Sequence, residues 1–188
     1  MEKIKIPNRP CGPFPVVLAG ADVDGRPNYA TVGACGVVSL EPVLYISLRG
    51  THYTTSGVRE HGYFSVNIPA AELVQKVDYC GLVSGKTADK SSVFTSFYDE
   101  LGQAPMIGEC PLNFLCQVIR SIPIFDFELF FGEIVAAYAN ERCLTEGVPD
   151  PKKIDPMMLM GSSYWGLGQA AGTVFKEGAP LKKAQDGK

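Results

Sequence analysis

The sequence predicts a mainly β fold, an antiparallel barrel of about six strands with short helical insertions. Three observations predict it. Runs rich in β-branched and aromatic residues follow one another instead of alternating with long helical patterns, which argues against a doubly wound sheet. The connections are short: Asp22–Pro27 carries an Asp-Gly turn signal, and a parallel crossover needs about a dozen residues, so its flanking strands must be antiparallel. Helical spacing occurs only in brief stretches, such as Ala70–Cys80 with Leu73, Val74 and Val77 on one face.

In chain order, Phe14–Ala21 reads as the first strand. Asn28–Leu40 is a second, of small and β-branched residues, ended by Glu41-Pro42. Val43–Arg49 alternates and is a third. A short helix follows near Thr54, and Tyr63–Ile68 is a fourth strand. After the helix at Ala70–Cys80, the polar, Gly-containing run Gly81–Ser92 is a loop. Leu112–Ile122 and Phe127–Ala139 are long strands with a proline break between them. Pro151–Gly168 reads as irregular with one helical turn. The expected organisation is one domain over residues 1–175 and a C-terminal tail over 176–188.

Composition bounds the function. With 188 residues, 46% apolar and 20% charged, the chain can bury a core of its own. A net charge of −3 without basic blocks speaks against nucleic acid. The longest apolar runs fall far short of the ~20 residues of a membrane span. The N-terminus lacks the apolar core of a secretory signal, so the cytoplasm is the expected location. The six cysteines include no C-x-x-C, and with only two histidines they read as small buried hydrophobes, with no metal site expected.

Several motifs fail on physical grounds. Gly166–Gly172 matches G-x-G-x-x-A, but the chain ends too soon for the βαβ unit that a dinucleotide site requires. Asp22-Val-Asp-Gly resembles half a calcium loop, yet Pro27 stands at its glycine position and Gly33 at its last carboxylate. Ser47, His52 and a threonine lack the G-x-S-x-G elbow and a placed carboxylate, which speaks against a hydrolase. Met157, Met158 and Met160 read as core or interface filler.

Arg49–Glu60, "RGTHYTTSGVRE", is the most informative stretch. A helix start leaves backbone N–H groups unpaired at its positive end. Thr54 or Thr55 stands where a cap belongs. Thr51, Ser56, His52 and Arg49 add more donors and positive charge than a cap needs. The set suits a phosphate. Asn28–Gly36 carries so few bulky side chains that a flat ring could approach its backbone.

The ordered series Phe14–Pro69, Ser84–Lys90, Pro111–Ile119 and Phe127–Ala137 resembles the flavin reductase-like, FMN-binding split-barrel family, and its flavoredoxin branch in particular, over roughly residues 10–175. The resemblance implies a six-stranded Greek-key split barrel, a homodimer, and FMN near the subunit interface. It implies that Asn28, Ala30, Thr31, Ala34 and Cys35 line the isoalloxazine. Arg49, Thr54 and Thr55, with Thr51 and His52 beside them, would hold the phosphate. Asn67 would fix a strand near the flavin, Lys86 or Lys90 would add charge, and Tyr164, or Trp165 beside it, would pack on the ring. The leading expectation is an enzyme, a flavin-dependent oxidoreductase of flavin reductase type: electrons would come from NAD(P)H or a redox-protein partner and leave through the flavin to an acceptor. One departure bears on this: Asp126 is kept, but Phe127 replaces a His that contacts flavin or nicotinamide in the family. That favours the alternative of an electron carrier without a nicotinamide site.

Overall fold

The computed structural model describes residues 1–39 and 41–179, so residues 180–188 of the expected tail lie outside it. Its main sheet contains β1 (Val17–Val23), β2 (Arg26–Val32), β3 (Cys35–Ser39), β4 (Val43–Arg49), β5 (Tyr63–Ile68), β6 (Leu112–Ile124) and β7 (Phe127–Ala139). Their order is β2-β1-β5-β6-β7-β4-β3, and every neighbouring pair is antiparallel.

β2 and β3 stand at opposite ends of that order, yet only Gly33 and Ala34 separate them in the chain. Three residue steps span at most about 10 Å. The sheet must therefore curl until its ends meet, and a 2.9 Å bond from Ser47 N to Ala34 O carries the β3–β4 ladder on into the bend. The single strand expected over Asn28–Leu40, of which Leu40 lies outside the described residues, is thus, as far as Ser39, one stave bent at two small residues. Counted as one, it gives the six-staved antiparallel barrel that the sequence predicts.

The nearly continuous apolar character of β1 follows from its position between two cores. Val17, Ala19 and Ala21 point into the barrel with Ile46, Leu48, Phe64 and Phe130. Val16 and Leu18 point outward, against Tyr29, Phe94, Met157 and, from helix α2 (Val74–Leu82), Val77 and Cys80. Each large side chain buried this way contributes about 1.5–3 kcal/mol. Helix α1 (Tyr53–His61) lies against β1 through Gly57. A methyl group there would sit 2.9 Å from Val23 Cγ2 and closer still to Asp22 O, so a glycine in mid-helix sets the approach.

Two expectations are corrected. Pro123 does not end β6, which runs on to Ile124. β5 pairs with β6 only as far as Gln117, so Pro123 sits where β6 is an edge and needs no donor on that side. The segment expected to be irregular after Pro151 holds the one helical turn, α3 (Pro151–Ile154), but also a hairpin of β8 (Met157–Met160) and β9 (Ser163–Gly166). β8 pairs with Phe14–Pro15 and closes the outer core. Cys80, Cys110, Cys116 and Cys143 are buried free thiols, in line with the reading as small buried hydrophobes; Cys35 is half-buried, and Cys11 is exposed and departs from it. No helix among the described residues is long and apolar enough to cross a membrane.

Candidate functional site

Helix α1 begins directly after β4, and its N-cap is His52, in extended conformation with no side-chain cap bond. Thr54 and Thr55 are therefore not the cap; both lie buried inside the first turn. Thr55 Oγ1 donates to Arg49 O at 2.8 Å and ties the helix to the end of β4. Thr54 Oγ1 accepts a 2.7 Å bond from Nδ2 of Asn28 on β2, so its own proton is left to point elsewhere.

The uncapped helix start borders a cleft of about 190 Å³. Asn28, Ala30 and Thr31 of β2 form one wall, His52 to Thr54 a second, and the end of α2 with the loop Val83–Gly85 a third. Lys90 is buried at its floor, 4% exposed. Its ammonium donates to Tyr29 O (3.0 Å) and Cys80 O (2.8 Å), both neutral. Among the described residues, no Asp or Glu lines this cleft.

The electrostatics follow from that arrangement. Burial holds the Lys90 ammonium below its ordinary value. Burial also lowers His52, and the charges of Arg49 and Lys90 lower it further, so His52 is neutral at pH 7. The part of the His52 shift that comes from Arg49 and Lys90 is a positive field that favours an anion, whereas the larger part, from burial, disfavours any unpaired charge. Gly85 closes the cleft with bare backbone: a methyl group there would stand 2.5 Å from Tyr53 Cδ1 and 3.0 Å from Asn28 Cγ. A second cleft, of about 250 Å³, opens beside the first and shares Asn28, Tyr53, Gly85 and Lys90 with it; Lys86 lies on its wall.

Of the residues expected at a site, the fold brings Asn28, Ala30, Thr31, His52, Thr54 and Lys90 together, with Lys86 adjoining. It places others elsewhere. The Arg49 guanidinium bonds the Asp126 carboxylate at 2.8 Å and lies 5.1 Å from the centre of the Phe127 ring. Thr55 has its hydroxyl committed, and neither it nor Thr51 lines the cleft. Asn67 donates to Leu18 O and Ser65 Oγ and accepts from Ile107 N and Asn113 Nδ2, which leaves nothing for a ligand. Ala34 and Cys35 belong to the barrel's closing corner, where burial raises the Cys35 thiol to about 11. Tyr164 donates to Asp78 at 2.9 Å and packs on the outer core; Trp165 is exposed. Sequence reasoning missed Tyr53, Gly81 and Gly85. Tyr53 lies within the Arg49–Glu60 stretch, and the Gly81–Lys86 run that ends α2 and leads out of it was the only signal for the two glycines, since small residues before a lysine allow backbone to approach a ligand.

Residues 11–167 match the family model described as the flavin reductase like domain. The chain belongs to the flavin reductase-like family. Among solved structures, flavoredoxin from Methanosarcina acetivorans is 45% identical with a TM-score of 0.92, over 96% of this chain and all of that one. Flavoredoxin of Desulfovibrio vulgaris (Miyazaki F) is 31% identical with a TM-score of 0.88, over 94% and 100%. An FMN-binding protein from Thermus thermophilus, 20% identical with a TM-score of 0.79 over 92% and 99%, shares the fold. The split-barrel architecture implied by the resemblance thus agrees with that of these family members.

Proposed function

We propose that this family member binds FMN with its phosphate in the cleft beside α1, and that it carries electrons between partners. One observation carries the reading: a buried ammonium, Lys90, whose partners among the described residues are two neutral carbonyls, in a cleft that no described carboxylate lines. A buried charge is costly unless it is paired. A phosphate of charge −1.5 to −2 is the counter-ion that the site lacks. The Thr54 hydroxyl, its oxygen already bonded by Asn28, has a proton to donate, and the α1 terminus adds its dipole. Arg49, held by Asp126, contributes through its field and not through contact. Ala30 and Thr31 leave room along β2 for a flat ring. Bound flavin would supply the one- and two-electron chemistry; the protein supplies binding, orientation and electrostatics.

Two observations favour a carrier over an NAD(P)H oxidase. Phe127, against the Arg49 guanidinium, stands where the resemblance expects His. The solved relatives at 45% and 31% identity are flavoredoxins. The resemblance also implies a homodimer. In support, the terminal strand β3 exposes Val37 and Val38, apolar side chains that a second copy could cover.

The test is a titration of flavin-free protein with FMN and with riboflavin, followed by anaerobic addition of NADH or NADPH to the loaded protein. Visible flavin absorbance that saturates with FMN, binds riboflavin far more weakly and persists after NADH supports the carrier. Rapid bleaching would instead support the reductase, and a protein that ignores FMN would remove both.

A further inference from the structure

The start of α1 keeps its backbone donors open by a specific arrangement. In a continuing helix the N–H groups of Tyr53 and Thr54 would bond the carbonyls four residues earlier, Arg49 O and Gly50 O. Both carbonyls are used otherwise. Arg49 O accepts from Thr55 Oγ1 at 2.8 Å and from His52 N at 2.9 Å, which fills its two lone pairs. Gly50 O accepts from Arg59 Nη1 at 3.3 Å. Among the described residues, neither the Tyr53 nor the Thr54 N–H has a hydrogen-bond partner, and both residues line the first cleft.

Arg59 is itself held from the other side. Its Nε donates to Glu128 Oε2 on β7 at 2.8 Å, and its Nη2 reaches the same oxygen. Glu128 stands opposite Leu48 on β4 and two residues before Phe130, so it shares the barrel's inner face with both. It is a buried carboxylate beside an apolar interior, costly to leave unpaired, and Arg59 is its cation. The turn between β4 and α1 is thus tied to β7 at two points. Gly50 N donates to Asp126 O at 2.8 Å, and Gly50 O receives the guanidinium that Glu128 anchors.

We infer that Arg59 and Glu128 are a positioning pair for anion binding: Arg59, fixed by Glu128, occupies Gly50 O and so leaves the Thr54 N–H, beside that of Tyr53, open to an anion in the first cleft. Neither residue lines that cleft, and their charges offset each other, so the pair acts through geometry and not through its field. This rests on the reading of the first cleft as the FMN phosphate site.

The experiment uses the full-length protein as wild type, Arg59→Lys and Glu128→Gln. Amide hydrogen exchange at Tyr53 and Thr54 is followed by NMR in the flavin-free form, and FMN and riboflavin are titrated by fluorescence quenching. Arg59→Lys keeps the charge and loses the fork. Glu128→Gln keeps the shape and frees a positive charge near the cleft. Charge alone would leave FMN affinity unchanged in the first variant and raise it in the second. Positioning predicts that both weaken FMN about three- to tenfold, the size of one hydrogen bond, and leave riboflavin within about twofold. Exchange at the Thr54 N–H should slow several-fold in both, as it pairs with the released Gly50 O. The Arg59 side chain is half exposed, so its variant decides the matter even where Glu128→Gln fails to fold. An unchanged ratio of FMN to riboflavin affinity, or unchanged exchange at Thr54, overturns the inference and leaves the FMN site standing. A wild type that does not distinguish FMN from riboflavin overturns the first-cleft reading instead, and the exchange measurement still decides whether Arg59 governs the Thr54 amide.

Discussion

Replacing Lys90 by Met is the sharpest test of the anion cleft. The side chain keeps its length and loses its charge. In the flavin-free protein two effects oppose each other. Tyr29 O and Cys80 O each lose a donor, at about 1–3 kcal/mol for a carbonyl left unpaired. Against that, an ammonium no longer has to be held out of water without a counter-ion, a penalty of similar or larger size. Urea unfolding should therefore show a net change within about 2 kcal/mol. Flavin binding has no such offset: one charge-assisted bond to phosphate is worth about 1.5–3 kcal/mol, or roughly ten- to hundredfold in affinity. FMN should weaken by that factor, and riboflavin, which has no phosphate, by no more than about twofold.

The pH dependence has a definite sign. The folded-state pKa of Lys90 lies below its ordinary 10.5, so between the two values the unfolded chain binds more protons than the folded one. Stability of the flavin-free wild type should rise with pH through that window, because the penalty of the buried charge is fully present below it. FMN affinity should fall as pH rises through the folded-state value. The Met variant should show neither dependence. A variant that retains the wild-type FMN-to-riboflavin ratio would refute the reasoning.

Three further outcomes follow from the packing. Gly85→Ala drives a methyl group into Asn28 and Tyr53; FMN affinity should drop about tenfold or more while urea stability falls by about 1–3 kcal/mol. Gly57→Ala gains helix propensity of about 1 kcal/mol but collides with the β1 backbone at Asp22 O, so denaturant unfolding should show a net loss of about 2 kcal/mol or more; a stabilised variant would contradict the close approach of α1. Thr55→Val removes the bond to Arg49 O and should cost about 1 kcal/mol or somewhat more in thermal unfolding, without altering the preference for FMN over riboflavin.

Much of the fold was legible in the chain because its signals are local. Alternation in Val43–Arg49, the Asp-Gly turn and short loops force antiparallel neighbours whatever the rest of the molecule does. The hairpin at Met157–Gly166 was not legible, since Met-Met-Leu-Met has no alternation and its strand character comes from pairing with Phe14–Pro15. Pro123 misled for the same reason: whether a proline ends a strand depends on which edge has a partner.

The candidate site divides along the same line. The sequence alone determined that an electropositive, hydroxyl-rich helix start follows the third predicted strand, and that small residues precede it on a neighbouring stave. It could not determine which donors stay free. Tertiary structure assigned the Arg49 guanidinium to Asp126, the Thr55 hydroxyl to a carbonyl and the whole Asn67 amide to the barrel, and left Lys90 buried without a counter-charge among the described residues. The physical reason is that residue type sets how many hydrogen bonds and charges a group brings, whereas only the packed fold sets which of them are already used.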